Sequence, residues 1–513
     1  MANGSARDER GTSATRLFTV SVAAIVVSLL IMVVACVNGP SVSVPGLTHP
    51  AGSGSGPPWW LPLHLGPSVV LLSLWAAAVI AVAGVAAGLV AVSRGARPPV
   101  RPLLAGVFLV ITIFTVLPPG GSTDAVSYGI DGSMVVAGHS PYVMTPNEFL
   151  ATGAQIARNS PRTWQNSLSD YGPLATASEW AAAELGGNSM ARITFWLKLW
   201  TSLAFGAVVL LLDWVLKPDP AMRLRGHLLW SANPLMLWEI VASGHIDGIA
   251  VAFGLAGIVV LRVDKGSRPG ADPGPGRALA CGLLIGAAIA IKAPFALFAL
   301  GAAWALRRHL AALSALAVGC LLALAPPYLV AGRPALTVLF DRGNQVTWDN
   351  LYQVFWRPFG YTTYQPAHLV DVAAALTVIV AVITCLRLPP RVLTLPAVTP
   401  ALALSLAWVF MWPFQRPWYD VMIIVLLVLY PASRLDWVVL IRLGFAAVTY
   451  MDAVGLPHGW LLSLQMFEGE WITSTARLLT VAALLWLCLS GRWGWRSRPA
   501  ESAIAEPALQ PLT

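Results

Sequence analysis

The sequence predicts an all-α, polytopic membrane protein with about fourteen transmembrane helices. Of its 513 residues, 57% are hydrophobic and only 11% are charged, whereas soluble globular domains average about 45–50% apolar and about 25% charged residues. A membrane-spanning helix needs about 20 apolar residues, so a chain of this length can hold a dozen or more. The composition therefore excludes a soluble enzyme, a disordered chain, a collagen and a disulfide-stapled secreted domain.

Apolar runs that end at proline, glycine or charged residues mark the predicted spans. One stretch, 277–306, has two interpretations, because Lys292-Ala293-Pro294 either kinks one helix or separates two short ones. The predicted spans lie near 17–37, 68–92, 102–118, 191–216, 226–242, 245–263, 277–291, 294–306, 310–330, 367–387, 394–412, 418–433, 435–451 and 472–490.

The basic residues follow the positive-inside rule if the N-terminus is cytoplasmic. About two-thirds of all Lys and Arg residues then fall in alternate loops on one face, which favours an even number of spans and two cytoplasmic termini. The net charge of +8 is thus a topology signal, and we expect no nucleic-acid partner. We predict a disordered segment 1–16, a membrane domain over 17–490 whose first span is retained, and a cytoplasmic tail over 491–513.

The opposite face carries the longer loops, near 38–67, 119–190, 331–366 and 452–471. The five cysteines lie far apart in apolar runs, so we expect neither a structural disulfide nor a zinc site. Ionisable residues at membrane depth are candidates for function. The polar residues on this face are Asp124, Asp131, His139, Asp170, Asp349, Asp452, His458, Glu468 and Glu470, with His245, Asp247, Lys292 and Arg416 near the membrane boundary.

The most informative carboxylate is Asp124, which follows the third predicted span in the string Leu-Pro-Pro-Gly-Gly-Ser-Thr-Asp. The Pro-Pro-Gly break ends the helix, so Asp124 lies at the water boundary, where a general base can meet a lipid-linked substrate. The structural alternative is that Ser122, Thr123 or Asp124 caps a short interfacial helix. Asp131 lies seven residues further on, two helical turns away, and can therefore face the same way.

A longer pattern makes the chain similar to a known family. The loop contains Asp124-x3-Tyr128-x3-Gly132-x5-Gly138-His139-Ser140-Pro141-Tyr142, then Trp164 and Tyr171-Gly172-Pro173-Leu174. It resembles the first extracytoplasmic loop of actinobacterial polyprenyl-phosphomannose-dependent α-1,6-mannosyltransferases, which are C-type glycosyltransferases. The strings Gly244-His245-Ile246-Asp247-Gly248 and Pro417-Trp418-Tyr419, and Lys292-x-Pro294, are also similar. Two residues depart from the family pattern, because Asp131 replaces an uncharged residue and Ile246 replaces an asparagine.

The resemblance implies a C-type glycosyltransferase fold with its catalytic residues in the first long extracytoplasmic loop. Such an enzyme passes mannose, with inversion, from a polyprenyl phosphate to a mannoside or lipoglycan acceptor, such as a lipomannan of the cell envelope. Asp124 matches the position of the base. No cofactor is implied, and no nucleotide-binding motif is present. The implied substrate-binding residues are Tyr128, Asp131, His139, Tyr142, Trp164, Tyr171, His245, Asp247, Lys292, Arg416, Trp418 and Tyr419, of which Lys292, Arg416 and His245 are candidates for the donor phosphate.

Several residues retain a second interpretation. His245 and Asp247 are two residues apart and suit a metal ion, but nothing nearby in the sequence completes a ligand set, so we expect no metal. Outer-face aromatic residues either stack on sugar rings or belong to the headgroup belt of a membrane protein. They are Tyr142, Trp164, Tyr171, Trp348, Trp356, Trp418 and Trp460.

Two alternative functions remain at this stage. The donor sugar is mannose by resemblance, but glucose, galactose and arabinose are alternatives. The other alternative is a transporter or flippase for a lipid-linked sugar. A transporter places its charges near the bilayer midplane and has related halves, whereas the acidic residues here cluster on one face, which favours an enzyme at the plasma membrane.

Overall fold

The computed structural model describes residues 2–48, 56–263, 272–341, 345–356, 366–389, 394–451 and 459–494. Regular structure in these ranges is entirely helical, without a strand, which confirms the predicted all-α class. Asp452 and His458, most of the loop 264–276, and the tail beyond 494 lie outside the described residues.

The α-helices are α1 (Ala2–Val37), α2 (Pro67–Ser93), α3 (Val100–Val116), α4 (Asp124–Val136), α5 (Pro146–Ala151), α6 (Pro173–Gly186), α7 (Met190–Leu216), α8 (Pro220–Gly226), α9 (Pro234–Met236), α10 (Asp247–Val260), α11 (Pro275–Ile291), α12 (Ala296–Leu306), α13 (Leu310–Ala331), α14 (Arg333–Asp341), α15 (Gln353–Trp356), α16 (Pro366–Arg387), α17 (Val398–Met411), α18 (Val421–Leu427), α19 (Leu435–Tyr450), α20 (Trp460–Phe467) and α21 (Ser474–Ser490). Segments of 3₁₀ helix span Gln155–Asn159, Ala293–Phe295 and Pro417–Asp420. Segments of π-helix span His227–Ser231, Leu237–Ala242 and Glu468–Thr473.

Several helices are apolar enough to indicate membrane association. By length and composition, six helical stretches of the described chain can each cross a bilayer: Thr12–Val37, Pro67–Ser93, Met190–Leu216, Leu310–Ala331, His368–Arg387 and Trp460–Ser490. Shorter apolar helices, of 10–17 residues, span Val100–Val116, Pro275–Ile291, Ala293–Leu306, Val398–Met411 and Pro417–Leu427. The count of about fourteen spans therefore stays a prediction.

The structure differs from the predicted boundaries at three places. The pieces Pro234–Ala242 and Asp247–Val260 bend by 113° at a short break and together amount to at most one span by length, although we predicted two near 226–242 and 245–263. The last apolar helix begins at Trp460, well before the predicted start at 472. Helix α1 begins at Ala2, inside the segment expected to be disordered.

Of the two interpretations of the stretch 277–306, the structure has the two separate helices, because Lys292 has an extended backbone between them.

One large hydrophobic core runs through the apolar helices. The most extensive helix contacts are those of α11 with α13, of α1 with α2 and of α10 with α11. The predicted loop 119–190 is itself built from helices α4, α5 and α6. Helix α4 packs so closely on α6 that a Cβ at Gly132 would collide with the backbone carbonyl of Glu179. The loop is thus a rigid layer that holds its polar residues in fixed positions.

Candidate active site

A small, partly open cavity of about 60 Å³ lies between the loop layer and the C-terminal half of the chain. It gathers side chains that are nearly 300 residues apart in sequence. Its lining residues are Asp124, Ser127, Tyr128, Asp131, Pro146, Trp164, Ser167, Leu168, Ser169, Asp170, Tyr171, Phe414, Arg416, Trp418 and Tyr419. Eight of the thirteen site residues predicted from the sequence line this cavity, namely Asp124, Tyr128, Asp131, Trp164, Tyr171, Arg416, Trp418 and Tyr419.

A buried lysine fixes the chain where α3 ends. Lys198 of α7 is fully buried, and its Nζ donates hydrogen bonds to the carbonyl oxygens of Phe114 at 2.5 Å, Leu117 at 2.6 Å and Pro118 at 3.1 Å. Carbonyl groups at the end of a helix have no partner within the helix and carry partial negative charge, so a cation there satisfies and stabilises them. Lys198 therefore holds the break from which α4 begins.

The backbone beyond the break is also held in place. The N–H of Gly120 donates to the Ala242 carbonyl at 3.1 Å, and the N–H of Gly121 donates to the Ser43 carbonyl at 2.7 Å. Gly121 has a φ of +78° and lies against the Trp238 ring, where a side chain would collide. A glycine is required because both the backbone conformation and the space exclude a Cβ.

Asp124 is the first residue of α4, and its carboxylate does not cap that helix. The N-cap residue is Thr123, which makes no side-chain capping bond, and the Asp124 N–H donates to Ser122 Oγ at 3.1 Å. The capping role considered from the sequence thus belongs to Ser122, through the Asp124 backbone. The Asp124 carboxylate remains directed at the cavity.

The surroundings of Asp124 tune its acidity. Burial raises the pKa of the carboxyl to about 6, and the positive charges of Arg416 and Lys292 limit the increase, while Asp170 and Asp247 add to it. The carboxyl is therefore ionised at neutral pH yet holds a proton more strongly than an exposed aspartate. These are the properties that a general base needs.

His245 lies behind Asp124 and does not line the cavity. Its ring is fully buried and stacks on Trp418, with ring centroids 3.7 Å apart. Nδ1 donates to the backbone carbonyl of Glu239. Nε2 has no hydrogen-bond partner in the part of the chain that the structure describes, and it lies 3.6 Å from Asp124 Oδ2.

Lys292 is already paired. Its Nζ lies 2.7 Å from Asp247 Oδ2, and it sits over the rings of Tyr419 at 4.4 Å and Tyr171 at 5.2 Å. The extended backbone between α11 and α12 carries the lysine into this position. In the described part of the chain, no group of three His, Cys, Asp or Glu side chains could hold a metal ion.

Arg416 has a different environment. Its guanidinium lies over the rings of Tyr450 at 4.7 Å, Phe414 at 4.8 Å and Trp418 at 5.9 Å. Among the described residues it forms no ion pair with a carboxylate. The cavity thus contains a guanidinium whose hydrogen-bond donors are available to a ligand.

A buried ionic network supports the residue before Arg416. Gln415 Oε1 accepts hydrogen bonds from Arg442 at 2.8 Å and from Arg477 at 2.9 Å. Arg442 pairs with Asp420, and Arg477 pairs with Asp349 at 2.5 Å. Because each buried charge has a partner of opposite sign, the network is a rigid support for the Arg416 backbone.

The remaining tyrosine and histidine residues predicted from the sequence contact other side chains and backbone groups of the loop layer. Tyr128 Oη donates to Tyr171 Oη at 3.0 Å. Tyr142 Oη lies 2.8 Å from Thr176 Oγ1 and donates to the Tyr171 carbonyl at 3.1 Å, so Tyr142 supports the cavity wall from behind. His139 packs against Phe149 and lines two other cavities on the outside of the loop layer. The structure therefore separates His139 from Asp124.

Sequence reasoning missed several buried ionisable residues, among them Lys198, Glu179 and Glu239. Neither carboxyl oxygen of Glu179 has a hydrogen-bond partner among the described residues, and burial together with the charges of Asp131 and Asp170 raises the pKa of this carboxyl well above the usual range. Lys198 and Glu239 gave a usable signal, because each is an ionisable residue inside an apolar run. Glu179 lies in the loop 119–190, and its burial depends on the contact between α4 and α6.

Comparison with known proteins identifies a family whose model matches part of the chain. Residues 21–308 match the model of the MptA_B family, alpha-(1->6)-mannopyranosyltransferase, N-terminal domain. No curated protein matches the chain. The matched region carries Asp124, His245 and Lys292, whereas Arg416, Trp418 and Tyr419 come from the part of the chain that follows it.

Replacing Lys198 with methionine should destabilise the protein. The variant keeps the length of the side chain but leaves buried carbonyl groups without a donor, which costs about 1–3 kcal/mol for each unsatisfied group. Thermal unfolding of the purified protein in detergent should therefore begin at a lower temperature, and transferase activity should fall with it. Lys217→Met is the matched control, because Lys217 is exposed at the end of the same helix. Equal unfolding curves for both variants would contradict the capping role.

Proposed function

Because the chain belongs to the alpha-(1->6)-mannopyranosyltransferase family, we propose that it transfers mannose from a polyprenyl-phosphate donor to a mannoside or lipoglycan acceptor. We further propose an extracytoplasmic active site, inversion at the anomeric carbon and an α-1,6 linkage. One observation carries this proposal: the same cavity holds a carboxylate with a raised pKa and a guanidinium that has no carboxylate partner among the described residues. This pair matches the two charges that such a transfer requires.

The carboxylate supplies the base. An acceptor hydroxyl becomes a sufficient nucleophile only as it loses its proton, and Asp124 faces the space in which the hydroxyl would bind. Its oxygen needs to approach the hydroxyl to about 2.7 Å for proton transfer. Asp131 lines the same cavity from the same face of α4 and can contact a second hydroxyl of the acceptor.

The guanidinium binds the leaving group. A polyprenyl phosphate leaves with negative charge, and a planar guanidinium can donate two parallel hydrogen bonds to its oxygens. Within the described part of the chain Arg416 has no carboxylate partner, whereas Lys292 is paired with Asp247. We therefore assign the donor phosphate to Arg416, with Lys292 and Asp247 in a supporting role.

Aromatic side chains complete the sugar site. Trp164, Tyr171, Trp418 and Tyr419 line the cavity between the two charges. Their faces can pack on the apolar side of a pyranose ring, which positions the anomeric carbon between base and phosphate. Glucose, galactose and arabinose remain alternative donor sugars, because this packing does not depend on one hydroxyl configuration.

The membrane placement follows from the same reasoning. A polyprenyl anchor keeps the donor in the bilayer, so the cavity must open near the headgroups. The distribution of basic residues supports an arrangement with cytoplasmic termini, about fourteen spans and the Asp124 loop outside. Family membership makes the chain a glycosyltransferase, which removes the reason to consider a transporter or flippase. We expect transfer without a metal cofactor.

Purified protein should transfer labelled mannose from polyprenyl-phosphate mannose to a short α-mannoside. Arg416→Gln should raise the KM for the donor roughly 10- to 100-fold, because a hydrogen bond to a charged group is worth about 1.5–3 kcal/mol. Arg307→Gln is the control, since Arg307 also lies on an aromatic ring (Trp304, 4.6 Å) but is exposed. Transfer from a glucose, galactose or arabinose donor in place of mannose would overturn the sugar assignment. An unchanged donor KM in Arg416→Gln would overturn the phosphate assignment.

The activity should require an ionised carboxyl whose pKa is about 6. Asp124 accepts a proton only in its ionised form, so kcat/KM should be constant above this pH and fall about tenfold per unit below it. The measurement is a pH profile of kcat/KM on the wild-type protein over the range in which it stays folded. A profile that rises as the pH falls through 6 would exclude a carboxylate base.

A further inference from the structure

His245 is a buried group to which the proposed reaction gives no direct role. It does not line the cavity, so it cannot touch the donor phosphate without a rearrangement of Trp418, on which it stacks. Its Nε2 is nevertheless a buried polar atom that has no hydrogen-bond partner among the described residues and lies 3.6 Å from Asp124 Oδ2. Buried polar atoms in folded proteins are nearly always satisfied, so this exception needs an explanation.

The backbone fixes the tautomer of the ring. Nδ1 faces the carbonyl of Glu239, which can only accept a hydrogen bond, so Nδ1 carries the proton. Burial and the neighbouring positive charges of Lys292 and Arg416 favour the neutral imidazole. Nε2 then presents a lone pair to Asp124. An ionised Asp124 has no hydrogen to offer it, so the resting pair forms no hydrogen bond.

We propose that His245 is a positioning residue that completes Asp124 as a base, because its Nε2 accepts a hydrogen bond from Asp124 as soon as the carboxylate has taken the acceptor's proton. This inference rests on the proposed function. As the proton moves to Asp124 in the transition state, the carboxylate loses negative charge, so its contact with the Nε2 lone pair is more favourable there than in the bound substrate complex. The two atoms need to move less than about 1 Å, since an O–H···N contact closes to about 2.7–2.8 Å.

The transfer step breaks two bonds and forms two. The acceptor O–H bond breaks and its electron pair forms the new bond from oxygen to the anomeric carbon. The bond from that carbon to the phosphate oxygen breaks, and its electron pair leaves with the polyprenyl phosphate. The proton ends on Asp124, hydrogen-bonded to Nε2 of His245, and no further reactant is required.

Two variants separate this role from simple packing. In His245→Asn the side-chain amide reaches the position of Nδ1, so it can keep the Glu239 contact but leaves nothing at the position of Nε2. In His245→Gln the longer amide reaches the Nε2 position and can present its oxygen to Asp124. The charged groups that face Asp124 and His245 from the surrounding elements, namely Arg416, Lys292, Asp170, Asp247 and Glu239, are unchanged in both variants.

His245→Asn should lower kcat by roughly 10- to 100-fold, the effect of one hydrogen bond formed only in the transition state, with a donor KM within about twofold of wild type. The acidic limb of its pH profile should also move to lower pH, because the protonated carboxyl has lost its acceptor. His245→Gln should recover much of the rate. His227→Asn is the matched control: His227 is an equally buried histidine, bonded to Ser231 at 2.9 Å and Asp213 at 3.0 Å outside the cavity.

Other outcomes overturn the proposal. A raised donor KM with unchanged kcat would assign His245 to the phosphate. Equal losses in the Asn and Gln variants with an unmoved acidic limb would leave only a packing role. An Asn variant as active as wild type would exclude any role. Absence of transfer by the wild-type protein would instead contradict the proposed function.

A third variant tests the same point if His245→Asn does not fold. His245→Ala leaves a space the size of the ring, which added imidazole can fill. Imidazole should raise the rate of this variant, whereas pyrrole, a ring of the same size without an acceptor lone pair, should not. Equal rescue by both molecules would show that only the volume of the ring matters.

Discussion

The candidate site depends on one buried cation at the end of a helix. Lys198 satisfies three carbonyl groups where α3 stops, and this fixes the turn through Gly120 and Gly121 that leads to Asp124. A burial penalty of several kcal/mol opposes a lysine inside the protein, so the three short hydrogen bonds must offset it. The same lysine packs against Gly244, directly before His245. One side chain thus sets the positions of both the proposed base and its neighbour.

The two charged halves of the cavity come from different parts of the chain. The region that matches the family carries Asp124, and the C-terminal part supplies Arg416. The distance between Asp124 and Arg416 depends on how these two parts of the chain pack together. The network around Gln415 fixes the position of Arg416, because it joins four buried charges to the adjacent backbone. A change deep in this network should therefore act on donor binding even though it touches no substrate.

The helical class and the region of the candidate site could be predicted from the sequence, because both depend on local patterns of residues. Composition identifies apolar helices, and the Pro-Pro-Gly break marks where α3 ends. The seven-residue spacing correctly placed Asp131 on the cavity face of α4 together with Asp124. The break at Lys292 was also correctly located.

Pairings between distant residues could not be predicted in this way. Lys292 pairs with Asp247 across 45 residues, and Lys198 reaches carbonyls more than 80 residues away. Neither partner has a sequence feature that identifies the other. The same limit applies to His245, whose sequence motif suggested a phosphate or metal ligand but whose position behind Asp124 depends on the bend between α9 and α10.

The most direct test of the account is the transferase activity of Asp124→Asn. The amide has nearly the same shape as the carboxylate but cannot take the acceptor's proton, so transfer to a mannoside should fall by about 100- to 10,000-fold. Asp219→Asn is the matched control, because Asp219 caps α8 and asparagine caps a helix equally well. A folded Asp124→Asn protein that transfers mannose as fast as wild type would contradict the assignment of Asp124 as the base.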